Sequence, residues 1–103
     1  MKMWSLAFYD LPVGSKEQRR KHTRWRNNLL REGFHRMQFS VYGKHFQNAA
    51  SSKACLRRLR QSLPSAGEVR FLTVTERQME KMLVYQGQKQ SDPELVPEQL
   101  LLL

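Results

Sequence analysis

The sequence predicts a small α+β domain in the order β-α-β-β-α-β, with both helices on one face of a single sheet and a further edge strand near the C-terminus. Three observations predict it. An apolar run at residues 3–9 stops at the turn residues Asp10-Leu11-Pro12-Val13-Gly14; two stretches of helical spacing begin at the cap residues Ser15 and Asn48; and residues 69–75 are rich in β-branched side chains. The 103 residues are one domain's worth of chain, since single domains commonly run from about 50 to 200 residues. With both crossovers right-handed, the split β-α-β arrangement is the economical topology.

In the first strand the even positions Trp4, Leu6 and Phe8 are large and apolar, and the odd positions Met3, Ser5, Ala7 and Tyr9 are smaller but uncharged. A strand without charge on either face is covered on both. Helices cover one face, so a second copy of the chain is expected on the other, giving a homodimer through the sheet faces. The first helix starts at Ser15, has Glu17 in its first turn and ends at Gly33. Gln18, His22, Trp25, Leu29 and Leu30 share one side, Lys16, Arg20, Arg24 and Arg31 the other, and Arg19 and Arg26 fall inside the apolar arc.

Residues 34–46 alternate, with Met37, Phe39 and Val41 pointing one way and Gln38, Ser40, Tyr42 and Lys44 the other, which predicts two short strands or one kinked strand. Asn48 caps a second helix reaching Leu63, with Ser52, Leu56, Leu59 and Leu63 on one face, Cys55 beside them, and Arg57, Arg58 and Arg60 facing away. The turn Pro64-Ser65-Ala66-Gly67 precedes the strand at 69–75, a helical turn follows at 76–81, and a short strand at 82–85. Residues 1–86 form the domain on this reading and 87–103 a tail, whose apolar end is expected along a sheet edge or against a partner. Trp4, Phe8, Trp25, Phe34, Phe39 and Phe71 are in phase with apolar faces and are expected in the core, leaving Tyr9 and Tyr42 for a wet site.

Eighteen Lys and Arg against nine Asp and Glu give a formal charge of +9. Its placement is uneven: residues 1–60 hold 14 basic and 3 acidic side chains, a net +11, and the remainder is −2. An acidic partner is implied for the first half, and nucleic acid is the commonest. One cysteine excludes an internal disulfide, and the longest uninterrupted apolar run, residues 100–103, is far below the roughly 18 residues of a membrane span. With no apolar stretch of signal-peptide type before Tyr9, the expected location is the cytoplasm and no membrane partner is expected. His22, His35 and His45 lack metal-ligand spacing, there is no Walker A or dinucleotide glycine motif, and residues 37–42 do not match the aromatic strand of RNA-recognition motifs.

Two groups of residues carry candidate chemistry. Asp10, closing an apolar strand, either begins a turn or ligates a hard cation; Mg²⁺ commonly takes one or two carboxylates beside waters and phosphate oxygens. In a symmetric dimer two copies of Asp10 could meet, and the first 60 residues offer no rival carboxylate cluster. The helix from Lys16 to Arg31 spans about 22 Å, enough to follow several phosphates, and Arg20, Arg24 and Arg31 are expected to contact them. Arg19 and Arg26 are expected either to pack their stems on the core or to reach toward Asp10. Tyr9, Ser40 and Tyr42 are possible flanking residues.

Together these segments resemble the small ferredoxin-like nuclease family of CRISPR adaptation, the partner of the CRISPR integrase. The resemblance rests on Tyr9-Asp10-Leu11-Pro12, on Trp25-Arg26-Asn27-Asn28-Leu29-Leu30-Arg31-Glu32-Gly33-Phe34, on Met37-Gln38-Phe39-Ser40-Val41-Tyr42 and on Val69-Arg70-Phe71-Leu72-Thr73-Val74-Thr75-Glu76-Arg77-Gln78, and is greatest to versions from type II loci. It implies a ferredoxin-like homodimer whose Asp10 side chains face one another and bind Mg²⁺ as the catalytic and metal site of an endonuclease or endoribonuclease. It also implies a bridging role between integrase dimers, with Lys16, Arg19, Arg20, Arg24, Arg26 and Arg31 holding the duplex DNA of an incoming spacer, and leaves RNA open as a substrate. The alternatives are a toxin-type ribonuclease of the virulence-associated protein D group and a non-catalytic basic nucleic-acid-binding dimer.

Overall fold

The structure, a computed structural model, describes residues 1–87. Strand β1 (Met3–Asp10) is followed by helix α1 (Lys16–Arg31), the hairpin β2 (His35–Gln38) and β3 (Val41–Phe46), helix α2 (Ala49–Arg60), strand β4 (Glu68–Thr75) and the single turn α3 (Glu76–Glu80). The sheet order is β2-β3-β1-β4 with every neighbour antiparallel, the ferredoxin-like arrangement that the element order predicts. Local chemistry sets the boundaries. Ser15 and Gln18 make a reciprocal capping box at the start of α1, Gly33 (φ 94°) turns the chain out of it, and the Asn48 side chain accepts from Ser51 N–H to start α2.

The odd residues of β1 face the helices. Ser5 and Ala7 are fully buried, and the Tyr9 ring meets Trp25 and His22 of α1 edge-on. Small side chains at 5 and 7 let the helices approach closely, and the buried Ser5 hydroxyl is satisfied by Ser52 at 2.9 Å and Thr73 at 2.8 Å, tying α2 and β4 to the central strand. Trp25, Leu29, Phe34, Phe46, Cys55 and Leu59 complete the core.

The even residues look the other way, onto a sheet face that no helix of the described chain covers, although Leu6 is itself buried there among its neighbours. Trp4 and Phe8 are therefore half-buried on this open face rather than in the core expected of them, and Phe39, at the β2–β3 turn, is 77% exposed. The reason is parity: a two-layer domain has one helix-covered face, and in β1 it takes the small residues and Tyr9, leaving Trp4 and Phe8 outside it. Tyr42 shows the converse. On the polar phase of its strand, it pairs with Ala7 and is buried beneath the helices. Helix α2 ends at Arg60, not Leu63, because the Ser62 hydroxyl donates to the Leu59 carbonyl and Pro64 follows, so Leu63 stays largely exposed. Residues 82–85 form no strand; Met82, Leu83 and Val84 are exposed and lack a sheet neighbour within the described chain. The expected tail contact falls on residues 88–103, outside the described residues. Among those described, no helix is long and apolar enough to cross a membrane.

Candidate nucleic-acid interface

Asp10 is the last residue of β1, on the open face and exposed. It lines a cleft of about 500 Å³ with Phe8, Tyr9, Phe39, Ser40, Val41, Glu68 and Arg70. Two backbone features hold its rim. Ser40 adopts φ 61° and its carbonyl accepts from Tyr9 N–H at 3.1 Å, fastening the hairpin turn to the strand end that bears Asp10. Gly67 (φ 86°) passes so close that a Cβ there would lie 2.5 Å from the Asp10 carbonyl oxygen, so a glycine is required for the chain to enter β4 beside Asp10.

Register then brings in a residue that sequence reasoning missed. Glu68 lies directly across from Asp10 in the β1–β4 ladder, so the cleft holds a second carboxylate, paired at 2.6 Å with Arg70 Nε. The two acids are far apart in sequence, and only the ladder that pairs Ser5 with Thr73 places them side by side. Among the described residues no group of three or more His, Cys, Asp or Glu side chains gathers as a metal cluster. Two hard oxygen donors are nonetheless the kind of set Mg²⁺ takes when water and phosphate complete its shell.

Of the flanking tyrosines, Tyr9 borders the cleft from the helix side and Tyr42 lies outside its lining. Tyr9 and Tyr42 are buried and stacked at 5.9 Å on the helix side of the sheet. Burial, and after it the adjacent Tyr42 phenol, push the Tyr9 hydroxyl up to about 12, against the opposing pull of Arg26 and Arg36. Tyr9 is thus a neutral hydrogen-bond donor throughout the physiological range and not a base.

The second feature is a groove of about 540 Å³ along the outer face of α1, lined by Lys16, Arg19, Arg20, Thr23, Arg24, Asn27 and Arg31. Five of the six expected phosphate contacts converge here. Arg19 belongs to the groove, with Nη1 donating to the Val13 carbonyl at 3.2 Å, whereas Arg26 lies off it, near the Tyr9 hydroxyl. Arg20 reaches Glu17 at 3.5 Å, an exposed pair that costs little to exchange for a phosphate.

One outward arginine of α2, Arg58, is less free than its spacing predicts. Arg58 donates from Nε and Nη2 to both oxygens of Glu32 at 2.9–3.2 Å, the Cys55 thiol donates to the same carboxylate at 3.5 Å, and Lys44 donates to the Glu32 carbonyl. This staple joins the end of α1 to α2 and β3. The Arg58 guanidinium holds the Glu32 carboxyl below its ordinary value, while burial pushes the Cys55 thiol up and keeps it inert. A depressed carboxyl stabilises the fold above its unfolded value near 4.3 and loses that contribution as pH falls through the folded value. Glu32→Gln is therefore expected to cost about 1 kcal/mol at pH 7 by urea unfolding, with the gap to wild type closing as pH falls through the folded carboxyl's lowered value.

Residues 3–82 match the family described as CRISPR associated protein Cas2. The chain belongs to the Cas2 family. It is 38% identical over 100 residues to the "CRISPR-associated endoribonuclease Cas2" of Parvibaculum lavamentivorans, covering 97% of this chain and 99% of that one. It is 45% identical over 85 residues to the protein of the same description from Acidovorax ebreus, covering 82% and 83%. A crystal structure of Streptococcus pyogenes Cas2 at pH 6.5 superposes with a TM-score of 0.60 at 18% identity, covering 81% of this chain and 99% of the other, a likeness of fold. The Cas2 match spans the described sheet and both long helices, so the toxin-type alternative is set aside.

Proposed function

We propose that this Cas2-family chain acts in CRISPR spacer acquisition as a homodimer that holds duplex DNA on its α1 grooves and bridges integrase dimers, and that it cleaves phosphodiesters at Asp10 with Mg²⁺. The observation that carries this reading is the groove itself: Lys16, Arg19, Arg20, Arg24 and Arg31 line one continuous surface on one helix, spaced to follow a phosphate backbone. The dimer is supported by the open sheet face, where Trp4, Leu6 and Phe8 stand beside Leu72, which is 51% exposed, and Val74. That face is apolar and central, and a second copy presenting the same face would remove it from water.

Cleavage is supported by the cleft and by the relatives' description as endoribonucleases, which makes RNA the substrate read onto this chain beside DNA. Asp10 and Glu68 would hold the cation, which when bound supplies neutralising charge on the phosphate and makes a water more acidic. Asp10 and Glu68 are acceptors, Arg70 supplies the cleft's positive charge, and Tyr9, kept protonated, leaves the carboxylates as the groups able to take a proton there.

A non-catalytic, purely architectural role is the second reading, favoured by one observation: Glu68 is ion-paired with Arg70 and so is not free. Labelled single-stranded RNA and duplex DNA incubated with the protein in Mg²⁺ and in EDTA separate the two. Cleavage confined to Mg²⁺ is expected. Intact substrate throughout, together with co-purification of the protein with its integrase and a duplex, would leave architecture alone; failure to co-purify would remove the bridging role.

A further inference from the structure

A pocket of about 210 Å³ lies between α1 and the turn that leads from α2 into β4, apart from the Asp10 cleft. Lys21, Arg24 and Trp25 line it from one flank of α1, and Ser62, Pro64 and Ser65 from the turn; no carboxylate lines it. Spacings of three and four residues put the α1 side chains on one flank, and Pro64 ends α2 so that the chain turns beside them. The Ser62 hydroxyl is committed to its own helix, donating to the Leu59 carbonyl at 3.1 Å. The Lys21 ammonium donates to Ser65 Oγ at 3.2 Å. An ammonium cannot accept, so the Ser65 hydroxyl keeps its own proton to donate. Among the described residues neither Lys21 nor Arg24 forms an ion pair, although Glu17, Glu32, Glu68 and Glu76 each have a basic partner. Trp25 is 1% exposed, and its indole Nε1 has no acceptor among the described residues. A buried donor in that state is uncommon in folded proteins.

Two cations without a counter-ion, a hydroxyl with a proton to give and an indole N–H without an acceptor line one small pocket, and the ligand chemistry they share is an oxyanion. The volume admits a phosphate group with a few waters. We propose that this pocket is a phosphate-binding site, in which Lys21 and Arg24 hold the oxyanion, Ser65 donates to it and Trp25 forms the apolar wall behind it. Arg24 also lines the α1 groove, so the two sites meet at one guanidinium. Free phosphate and a backbone phosphate of a strand crossing Arg24 offer the same oxyanion, and the site itself does not depend on the groove holding a duplex.

The test is an NMR titration of the indole N–H signals of the two tryptophans, with Trp4→Phe assigning them. Inorganic phosphate, added at an ionic strength held constant with chloride, moves the Trp25 signal saturably and leaves the Trp4 signal in place. Lys21→Gln raises the half-saturating phosphate concentration about tenfold, Lys21→Arg restores it, and Ser65→Ala raises it about fivefold. Lys21 and Ser65 lie outside the core, and an unmoved Trp4 signal in each variant reports an intact sheet. A Trp25 signal that ignores phosphate, equal movement of both tryptophans, or an unchanged midpoint in Lys21→Gln overturns the site. A duplex oligonucleotide then separates the sources. Where the backbone fills the pocket, duplex moves the Trp25 signal as phosphate does, and Lys21→Gln lowers the slope of log K against log salt by about 0.9. Where the pocket serves free phosphate, that slope stays at the wild-type value and phosphate still moves the Trp25 signal with duplex bound. Both results keep the site, and failure of the wild type to bind duplex removes the groove reading while the phosphate titration stands.

Discussion

Asp10→Asn is expected to lower phosphodiester cleavage by about 100-fold or more while leaving duplex affinity and dimer mass as in wild type. The expectation of so selective an effect follows from position. Asp10 is exposed at the end of β1, and asparagine matches its volume, so the fold should respond within about 0.5 kcal/mol. What changes is the loss of an acidic oxygen pair at the cleft, which removes both a proton acceptor and the favourable charge for a cation. Glu68 alone is a poor replacement, because one of its oxygens is already paired with Arg70 at 2.6 Å. Leu72→Glu is the complementary variant. Half exposed in the open sheet face and paired in register with Leu6, it would place like charges in the face proposed to meet its own copy, so a monomer on sedimentation is expected with the monomer's helix-side core untouched. Cleavage retained by Asp10→Asn would sink the catalytic assignment, and a persistent dimer in Leu72→Glu would move the interface elsewhere.

How far these features could be read from the chain depended on which kind of order carried them. The helices were legible because their signals are local: Ser15 with Gln18 and Asn48 with Ser51 are cap chemistry within four residues, and the basic stripe of α1 follows from 100° per residue. The topology was legible because few right-handed crossovers fit the element order. The parity of β1 was not. Periodicity shows that Trp4, Leu6 and Phe8 share a face but not which face the helices take, and size points the wrong way, since close helix approach favours Ser5 and Ala7. The pairing of Asp10 with Glu68 was invisible for a related reason. It depends on the register of two strands joined through the whole domain, and neither residue has a local pattern that announces the other. Alternation alone puts Phe39 in the core, because alternation says nothing of where a hairpin turn begins.

Double reversal of Arg20 and Arg24 to glutamate is expected to weaken duplex DNA binding by about 100-fold or more at moderate salt, and to flatten log K against log salt by about 1.8, the equivalent of two phosphate contacts at about 0.9 each. The control that gives this result its meaning is Arg57→Glu with Arg60→Glu, which changes the net charge of the chain by the same amount on α2. If the excess charge acted only as a diffuse field, the two double variants would lose affinity alike. The structure argues otherwise, since five cations of α1 line one groove while α2 commits Arg58 to Glu32. Stability is not a confounder, because Arg20 and Arg24 are exposed and the pair Arg20 gives up with Glu17 is long and solvated. Equal affinity loss from the two helices would reduce the groove to part of a general basic surface. A loss confined to α1 would show that duplex DNA follows this helix, and would separate that contact from the cleft at Asp10, which the same variants leave intact.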